Sequence, residues 1–546
     1  MTLRKHQSDV LNTINSIIAG DNVRKIIVNA TPAAGKSMLP ILAGQLIPVG
    51  LADALAWIVP RKALQSQGER GFVDPGFRSM LNHNLTIRQS TSDINPCRDC
   101  QGWVSTYQAL SMDRKGRAEY EFSTKRYILI LDECHHISAS VEADWYRAVL
   151  PLVEKAKYLV LMTGTMERSD GKPIAWLPYR KTANGLLESV TESHGDTRYI
   201  HYDRTTALRE KAILPVQFHL SDGTVEWEKN GSRRKGILSK RIMDSGQALF
   251  TALNTEFAET LLDAGLAHWQ SYKNTHPRSK MLIVTANFEH AKKATAYVER
   301  RGFRCAIATS HDSVKCLQNI YDFKFGSIDC LITIAVAYEG LSVKPITHIV
   351  CLTQIRSNAW ITQMVGRAVR VDHDAGPYET QSAYVFAPDD FQFQQVVKRI
   401  ESEQLTAIKD EDDVEEKRSR KGGGRQKSPD VIPIGSTLTG QREISIGGPP
   451  GGFAFSSNIY IPTPKEVESE LLSKIEAHVR IYSYMNRIKP IRINAVLKDI
   501  FNKPRREMTR IELEKCLKYV QENYPTNFPV RGSGRRVPTK AERWCG

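Results

Sequence analysis

Short apolar runs alternate with segments of helical character along the first 165 residues of the chain. The runs KIIVNA, ALAWIVP, GWVST, YILILDE and YLVLMTGT are apolar almost throughout. A strand covered on both faces shows this continuous pattern, whereas a half-exposed strand alternates between apolar and polar residues. The alternation of such strands with helices predicts a parallel sheet with crossover helices.

The same pattern restarts farther along the chain. MLIVTAN, FRCAIATS, IDCLITIAV, THIVCLTQ and SAYVFAP predict a second set of buried strands, with helical segments such as EHAKKATAYVERRG between them. We therefore predict two tandem α/β domains, at 1–205 and 246–408, joined by a connection at 206–245. One helix, SGQALFTALNTEFAETLLDAGLAHWQSY, is expected to lead into the second domain.

The composition changes near residue 410. KDEDDVEEKRSRKGGGRQKSPD and IGGPPGGFAFSSN cannot bury much apolar surface, so a flexible linker is predicted at 409–459. After it, KEVESELLSKIEAHVRIYSYM, INAVLKDIFN and TRIELEKCLKYVQENYP predict amphipathic helices in a small, mostly helical C-terminal domain at 460–546. That domain carries eighteen Lys and Arg against ten Asp and Glu.

Charge and composition narrow the function classes. The net charge of +15 points to a polyanionic partner, either nucleic acid or an anionic surface. No apolar run approaches the roughly 20 residues needed to span a bilayer, and MTLRKHQSDV lacks the apolar core of a secretory signal. The nine cysteines are scattered, as is typical of reduced thiols. We therefore expect a cytoplasmic protein that does not bind membranes.

The segment ATPAAGKS follows the first predicted strand and has the spacing of a phosphate-binding loop. Small residues let the backbone wrap closely, so that its N–H groups point at phosphate oxygens. Lys36 is expected to neutralise the β and γ phosphates of a nucleotide, and the Ser37 hydroxyl to bind Mg²⁺. The predicted nucleotide contacts are Ala30, Thr31, Pro32, Ala33, Ala34, Gly35, Lys36 and Ser37.

The predicted strand YILILD presents two acidic residues where it ends. Asp132 and Glu133 lie at the carboxyl edge of a parallel sheet, where α/β proteins place their ligands. One carboxylate, assigned to Asp132, can hold Mg²⁺. The other, Glu133, can orient and deprotonate the water that attacks the γ phosphate.

These two motifs resemble motifs I and II of superfamily 2 helicases, and the resemblance extends over most of residues 1–390. The second motif of that family is written DEAD, DEAH or DECH. Gln7 in LRKHQ stands at the place of the adenine-contacting residue. The further matches follow in sequence order: WIVPRKALQSQ, STYQAL, MTGT, MLIVTANFEHA, AVAYEGLSV and QMVGRAVR. The resemblance implies two RecA-like domains that hydrolyse ATP with Mg²⁺.

QMVGRAVR is the most specific of the later matches, to motif VI. Gln363, Arg367 and Arg370 recur at helical spacing, which predicts that they share one helix face. By resemblance, Arg367 and Arg370 reach across the interdomain cleft as arginine fingers that stabilise transition-state charge. We therefore assign a catalytic role to Gln363, Arg367 and Arg370, together with Asp132 and Glu133.

The sequence departs from the family pattern in three places. Ala33 stands in motif I, and Gly164 in motif III, where the family usually has glycine and alanine respectively. In motif V, Gly340 is followed by Leu341 and Ser342, so the usual carboxylate is missing. We expect the change at Ala33 to tighten the loop without removing a ligand, and the change at Gly164 to be small.

The resemblance implies that both domains contact a nucleic-acid strand. Its candidate contacts are Arg61, Thr106, Gln108 and Ser310, and their targets are expected to be phosphates and sugars. DECHH, TGT and the compact length resemble bacterial and phage DNA helicases and restriction motors, so DNA is favoured over RNA. Two alternatives stay open, an ATP-driven binding switch or loader that does not unwind, and an RNA helicase. The C-terminal domain is expected to bind DNA or to dock a protein partner.

Overall fold

The computed structural model describes residues 3–90, 95–140, 142–166, 168, 172–182, 187–241, 244–309, 313–334, 343–408, 432–444 and 461–526. The chain divides into two compact units. The first comprises Met1–Ser92 and Cys100–Ile461, and the second comprises Asp93–Asp99 and Pro462–Gly546. The first unit contains two α/β domains, each built around its own sheet.

The described residues of the first domain form a seven-stranded parallel sheet, in the order β3-β4-β2-β5-β6-β1-β9. Its central strands are buried on both faces, as their continuous apolar sequences predict. The strands are β1 (Lys25–Ala30), β2 (Ala54–Val59), β3 (Ile87–Gln89), β4 (Gly102–Thr106), β5 (Tyr127–Asp132), β6 (Tyr158–Thr163) and β9 (Thr197–Tyr202).

Helices connect and cover these strands, as expected for a parallel sheet. A small antiparallel pair, β7 (Tyr179–Lys181) and β8 (Leu187–Ser189), lies apart from the sheet. The helices are α1 (Lys5–Ile18), α2 (Leu39–Gly44), α3 (Lys62–Val73), α4 (Pro75–Leu81), α5 (Tyr107–Ser111), α6 (Arg117–Thr124), α7 (Asp144–Lys155) and α8 (Arg204–Arg209).

The second domain contains a mixed sheet whose described strands run in the order β11-β10-β16-β15-β12-β14-β13, with β17 paired to β10. Strands β10 to β11 and β10 to β17 pair antiparallel, and the other pairs are parallel. The strands are β10 (Val216–Lys229), β11 (Ser232–Ile237), β12 (Lys280–Thr285), β13 (Cys305–Ala308), β14 (Cys330–Ile334), β15 (Ile346–Leu352), β16 (Ala383–Pro388) and β17 (Ile432–Ile444).

Two segments that the sequence analysis treats as connecting chain belong to this sheet. Strand β10 lies inside 206–245 and pairs with β16, and β17 lies inside 409–459 and pairs with β10 along most of its length. Buried positions in β10 alternate with half-buried ones, which is the signature of a half-covered strand rather than of a continuous apolar run. Residues 409–431 and 445–460 lie outside the described residues.

The helices of the second domain are α9 (Ser245–Leu253), α10 (Glu256–Thr275), α11 (Phe288–Arg300), α12 (Ser313–Phe325), α13 (Asn358–Ala368) and α14 (Phe391–Ile408). The single leading helix predicted for this domain is instead the pair α9 and α10. Thr255 is extended at the N-cap of α10, and Glu256 and Glu259 follow in its first turn. Acidic residues favour a helix start because they face the positive end of the helix dipole, so a new helix begins here.

The second unit contains α15 (Pro464–Met485), α16 (Pro490–Phe501) and α17 (Arg510–Asn523), as the amphipathic patterns predict. Capping boxes start α15, at Thr463 and Glu466, and α17, at Thr509 and Glu512. The core of the unit includes the buried side chains of Ile475, Val479, Ile493, Leu497, Met508, Leu513, Cys516 and Val520.

A short segment from between β3 and β4 completes this helical unit. Arg98 is buried and forms an ion pair with Glu468 of α15 at 3.2 Å. Its guanidinium also donates to the carbonyl oxygens of Met508, at 3.1 Å, and Arg506. The Asp99 carboxylate accepts the backbone N–H of Arg510, the first residue of α17, at 2.9 Å. The unit is therefore built from two segments that are distant in sequence.

Within the residues that the structure describes, no helix is long and apolar enough to cross a membrane.

Candidate nucleotide site

The phosphate loop, residues 30–37, follows β1 directly and turns through two residues with positive φ. Gly35 has φ of 86° and Ala33 has φ of 69°, a left-handed conformation that favours glycine. Ala33 therefore adopts the backbone of the glycine that the family usually has at this place, at some cost in strain. The Ala34 N–H donates to the Thr31 carbonyl at 3.2 Å, which closes the turn.

Two side chains from the start of α1 hold this loop from outside. The Gln7 amide donates to the Gly35 carbonyl at 3.2 Å, while its oxygen accepts the Arg4 backbone N–H at 3.0 Å. The Arg4 guanidinium donates to the Ala33 carbonyl at 3.4 Å. The predicted adenine-contacting residue Gln7 thus lies against the phosphate loop, and its role towards adenine stays a prediction.

Lys36 faces the acidic end of β5. Its ammonium group donates to the Ala30 carbonyl at 3.0 Å and lies 3.5 Å from a carboxylate oxygen of Glu133. Lys36 and Ser37 lie in a short 3₁₀ turn that precedes α2. The structure therefore brings together the two motifs that the sequence places nearly 100 residues apart, because β1 and β5 both flank β6 in the sheet.

Asp132 and Glu133 have opposite electrostatic environments. Burial and the neighbouring Glu133 charge raise the pKa of Asp132, although Lys36 acts against them. Burial alone would also raise the pKa of Glu133, but nearby positive charge, above all that of Lys36 and also that of Arg367, outweighs it and lowers that pKa. Glu133 is consequently the ionised member of the pair.

The backbone at Glu133 is strained, since its φ of 47° is left-handed for a residue with a side chain. The Glu133 N–H donates to the Asp132 carboxylate at 3.0 Å, and the Tyr107 hydroxyl donates to the Asp132 carbonyl at 2.8 Å. The Gly164 N–H in turn donates to the Glu133 carboxylate at 3.3 Å. These contacts fix the direction in which Glu133 points.

His135 links the two domains through a chain of hydrogen bonds. Its Nε2 lies 2.9 Å from the amide nitrogen of Gln363, which can only donate, so Nε2 accepts. The proton is then on Nδ1, 3.0 Å from the Thr163 hydroxyl and 3.3 Å from Glu133. Thr163 donates onward to the Thr165 carbonyl at 2.6 Å. Burial lowers the pKa of His135 to about 3, which keeps the ring neutral as this pattern requires.

The predicted helix face of Gln363, Arg367 and Arg370 is correct for the first two residues and wrong for the third. Helix α13 ends at Ala368, and Arg370 forms an isolated antiparallel bridge with Ile213. The Val369 carbonyl accepts the Leu214 N–H at 2.8 Å, which holds this part of the chain extended. Burial and the neighbouring Arg367 lower the pKa of Arg370 to about 9.

Two glycines permit close approaches at this site, Gly366 between the domains and Gly164 within the first domain. A Cβ atom on Gly366 would lie 2.5 Å from Cβ of Pro32 in the phosphate loop. A Cβ atom on Gly164 would lie 3.1 Å from the Lys36 ammonium nitrogen. A cavity of about 210 Å³ between the domains adjoins the loop at Thr31. Only glycine at 366 permits this approach of α13 to the loop.

The donor set of the site fits Mg²⁺. Within the described ranges, no group of three or more His, Cys, Asp or Glu side chains is arranged to hold a metal ion. Mg²⁺ does not need such a cage, because it is usually bound by one or two protein oxygens together with substrate phosphates. Asp132 is 8% exposed and its pKa is raised, so a cation beside it would stabilise the ionised carboxylate. Ser37 supplies a hydroxyl next to Lys36.

Two family models match the chain in the order in which the domains occur. The model for the res subunit of type III restriction enzymes matches residues 1–168, and the model for the helicase conserved C-terminal domain matches residues 258–372. The chain belongs to the superfamily 2 helicases. The first model overlaps the first α/β domain and the second model overlaps the second, which confirms the predicted fold class of two RecA-like domains.

The curated relatives of this superfamily 2 helicase are distant. An uncharacterized protein of Mycobacterium leprae is 23% identical over 373 residues, covering 66% of this chain and 59% of the relative. An uncharacterized protein of Mycobacterium tuberculosis is 22% identical over 375 residues, covering 67% of this chain and 59% of the relative. The chain thus spans about 59% of the length of these relatives, less than two thirds.

Similar solved structures include a fragment of a putative HsdR subunit of a type I restriction enzyme from Vibrio vulnificus, with a TM-score of 0.46 at 13% identity. That match covers 72% of this helicase and 64% of the other chain. The helicase Lhr of Mycobacterium smegmatis, bound to single-stranded DNA and AMP-PNP, gives a TM-score of 0.45 at 14% identity. That match covers 74% of this chain and 48% of Lhr.

The residues predicted to contact nucleic acid occupy different environments in this helicase. Arg61 precedes α3 as its N-cap residue. Thr106 is 4% exposed, and its hydroxyl caps α5 by accepting the Ala109 N–H at 3.1 Å. Gln108, the second residue of α5, is exposed. Ser310 lies outside the described residues, as do Gly340, Leu341 and Ser342 of motif V. Gln108 is therefore the more accessible of the two polar side chains at α5.

Three contributors to the site have no assigned role in the sequence-based prediction. Arg4 supports the phosphate loop, and His135 and Thr163 carry the hydrogen-bond chain to Gln363. His135 was visible in DECHH, where a histidine directly follows the acidic pair and a cysteine. Its role depends on a partner 228 residues away, which no local pattern indicates.

Proposed function

We propose that the chain is an ATP-dependent translocase or helicase that acts on nucleic acid, with DNA preferred to RNA. One observation carries the proposal. Lys36 and Glu133 of the first domain and Gln363 and Arg367 of the second contribute to one interdomain site. Two lobes that share a site can close on a bound nucleotide and reopen when it is hydrolysed.

Lys36 and Glu133 have complementary tasks in hydrolysis. Lys36 neutralises the β and γ phosphates, and it leaves its ion pair with Glu133 to do so. Because Lys36 is a main cause of the low pKa of Glu133, its departure makes this carboxylate a better proton acceptor. Glu133 then orients the attacking water and accepts its proton. Substrate binding thereby prepares the base.

The remaining residues stabilise charge. Ser37 and Asp132 would hold Mg²⁺, which neutralises phosphate charge when bound. Arg367 lies close enough to Glu133 to lower its pKa, so it is placed to stabilise charge that develops on the γ phosphate. Arg370, next to Arg367, adds to the same positive field. Gln363 donates a hydrogen bond to His135, and this bond would depend on the position of the second domain.

Movement along a strand would follow from the opening and closing of the domains. The proposed strand contacts are Arg61, Thr106, Gln108 and Ser310, which would bind phosphates and sugars, so binding is expected to be largely independent of sequence. Such binding weakens steeply as salt concentration rises.

The decisive measurement is ATP hydrolysis with single-stranded DNA, duplex DNA, forked DNA and RNA, at one stated salt concentration. We expect DNA to raise turnover many-fold and RNA to raise it less. Equal stimulation by RNA would favour the RNA helicase alternative. Turnover that responds to none of the four would overturn the proposal.

Two variants test the assigned chemistry. Lys36→Ala is expected to lower ATP turnover roughly 100-fold or more, because phosphate charge loses its partner. Glu133→Gln is expected to bind ATP but hydrolyse it slowly, because the base is lost. Lys155→Ala, which removes a surface partner of Glu119, serves as the control. Turnover at the parental rate in either site variant would show that the roles are assigned wrongly.

Strand displacement separates a helicase from a switch or loader. Ser342, in place of the usual motif V carboxylate, favours the second possibility. A forked duplex with one labelled strand should lose that strand in the presence of ATP if the chain unwinds. Hydrolysis stimulated by DNA without displacement would support the switch.

A further inference from the structure

The turn between α15 and α16 carries a group of exposed basic and aromatic side chains. We call Tyr484, Arg487, Lys489 and Arg492 the basic corner. The segment from 484 to 492 reads YMNRIKPIR and contains no acidic residue. Tyr484 is 85% exposed and the neighbouring Ile491 is 72% exposed, values that are unusual for large apolar side chains.

The backbone of this turn is held in one conformation. The Asn486 N–H donates to the Tyr482 carbonyl at 2.9 Å, and the Ile488 N–H donates to the Ser483 carbonyl at 3.0 Å. This second bond, with a left-handed residue just before Ile488, is the Schellman pattern that ends a helix. Pro490 then fixes the first turn of α16. The basic side chains therefore project from a rigid support.

Arg487 occupies the left-handed position of this turn, with φ of 54°. Glycine is the usual residue there because it has no Cβ, and an arginine costs stability that a glycine would not. Strain that persists in a fold often marks a functional residue. The presence of arginine here therefore indicates a function that depends on its side chain, which glycine lacks.

The positive charges of the corner are not neutralised within the described part of the chain. Arg487, Lys489 and Arg492 are exposed and have no carboxylate at ion-pair distance there. Several other exposed basic residues of the same unit are paired. These pairs are Lys474 with Glu470, Arg480 with Glu476 and Lys518 with Glu522. By contrast, Lys498, Arg506 and Lys515 stand apart from one another along the sequence and form no ion pair in the described part of the chain.

The corner lies far from the segment that anchors this unit. Glu468, the partner of Arg98, is near the start of α15, and Tyr484 is near its end. Sixteen residues of α-helix separate them by about 24 Å, at a rise of about 1.5 Å per residue. The inserted segment at Arg98 therefore leaves the corner uncovered.

We propose that the basic corner binds single-stranded nucleic acid, as a site separate from the two helicase domains. Arg487, Lys489 and Arg492 bind successive phosphates, and the Tyr484 ring stacks on an unpaired base. A protein that binds a single strand needs cations for the negatively charged phosphates and an aromatic ring on which an unpaired base can stack. The corner offers both. Binding of nucleic acid at the basic corner does not require ATP hydrolysis.

The test measures binding of the full-length protein, without nucleotide, to fluorescein-labelled oligo-dT and oligo-U of 20 nucleotides over a range of salt concentrations. The triple variant Arg487→Ala, Lys489→Ala, Arg492→Ala is expected to bind about tenfold or more weakly. The slope of log affinity against log salt is expected to fall by about 2, since each phosphate contact contributes about 0.7. Tyr484→Ala is expected to lose roughly fivefold or more.

A matched triple variant controls for net charge. Lys474→Ala, Lys515→Ala, Lys518→Ala removes the same charge from other exposed positions of this unit, and it is expected to change affinity little. Equal losses in the two triple variants, or no measurable binding of either oligonucleotide to the parent protein, would overturn the proposal. If poly-glutamate at the same charge concentration displaces the bound oligonucleotide, the result would overturn the proposal and indicate that the corner binds an acidic protein surface instead.

Arg487→Gly separates function from folding. Glycine suits the left-handed position, so thermal stability is expected to rise or stay constant while affinity for both oligonucleotides falls several-fold. Unchanged affinity would overturn the role of Arg487. If these variants lose affinity for the oligonucleotides but DNA does not stimulate ATP hydrolysis, the proposed binding site at the basic corner is supported and the proposed ATP-dependent translocase activity is not.

Discussion

Gln363 of the second domain donates a hydrogen bond to His135 of the first, with the two nitrogens 2.9 Å apart. His135 also contacts Glu133, the proposed base, at 3.3 Å. The bond therefore connects the position of one domain to the chemistry of the other through a single ring. In the proposed mechanism this bond would form only when the domains are close, so it would report their closure.

Replacing Gln363 by Leu tests this connection. Leucine keeps the apolar volume but cannot donate, so the buried His135 Nε2 loses its partner. An unsatisfied buried acceptor costs about 1–3 kcal/mol, which corresponds to a loss of roughly tenfold in kcat if the bond forms in the reactive state. The KM for ATP is expected to change little. Steady-state kinetics with saturating DNA measure both parameters.

The control is a double-mutant cycle with His135→Ala. If the two side chains act through their shared bond, the double variant should be no slower than the worse single variant. Losses that multiply instead would contradict the connection and would assign the two residues independent roles.

Gly366→Ala addresses the contact between α13 and the phosphate loop. The added Cβ would lie 2.5 Å from Cβ of Pro32, closer than atoms can pack, so the domains must separate. We expect ATP hydrolysis to fall at least roughly tenfold while nucleotide binding to the first domain persists. Fluorescent nucleotide titration and turnover distinguish the two effects. Gly246→Ala, whose Cβ meets nothing within 4 Å, should behave like the parent.

The sequence predicts the parts of the fold whose signal is local. Buried parallel strands are apolar throughout, and the phosphate loop and the acidic pair at 132–133 have fixed spacing, so these elements were visible without a structure. The helical C-terminal unit was equally visible, because amphipathic periodicity does not depend on what the helices pack against.

The features that the sequence did not reveal depend on distant partners. The sequence around Arg370 continues the helical spacing, yet pairing with Ile213 draws the chain into an extended form. Strand β17 is recognisable only beside β10, and its polar composition suggested a linker. The anchoring of the helical unit by Arg98 joins residues that lie 370 positions apart, so no periodicity could indicate it.

Arg98→Met tests how the helical unit is held together. The side chains of Arg98 and Glu468 are 5% and 7% exposed, and removing one partner of a buried pair costs about 3–5 kcal/mol. Lys465, 3.7 Å from Glu468 and 44% exposed, compensates only in part. We expect α15 and α17 to exchange amide hydrogens much faster in the full-length variant, as measured by mass spectrometry.

The double variant Arg98→Met, Glu468→Met removes both charges and is expected to recover most of the lost protection, since similar apolar volume replaces the pair. Arg480→Ala breaks an exposed pair and should cost no more than about 1 kcal/mol. Protection that is unchanged in Arg98→Met would show that the inserted segment does not stabilise the unit.

His6 should make the first domain sensitive to acid. It is fully buried against Tyr202, with ring centroids 4.3 Å apart, and neither ring nitrogen has a hydrogen-bond partner among the described residues. Burial, with the positive charges of Arg4, Lys36 and Lys5, lowers its pKa to about 3. In the unfolded chain His6 binds a proton near the ordinary pKa of 6.5. Its contribution to the free energy of unfolding is therefore fully present above pH 6.5 and is lost as pH falls from 6.5 towards 3.

At pH 5 the unfolded state gains about 2 kcal/mol from protonating His6, and His6→Leu removes this gain. Urea unfolding at pH 7.5 and pH 5 should therefore show a smaller acid-induced loss of unfolding free energy in His6→Leu than in the parent, by about 2 kcal/mol. His194→Gln, at an exposed position, should retain the parental dependence on pH. Identical acid sensitivity in His6→Leu and the parent would show that His6 is protonated in the folded state or that its burial is relieved, and either result would contradict the electrostatic environment described for the start of α1.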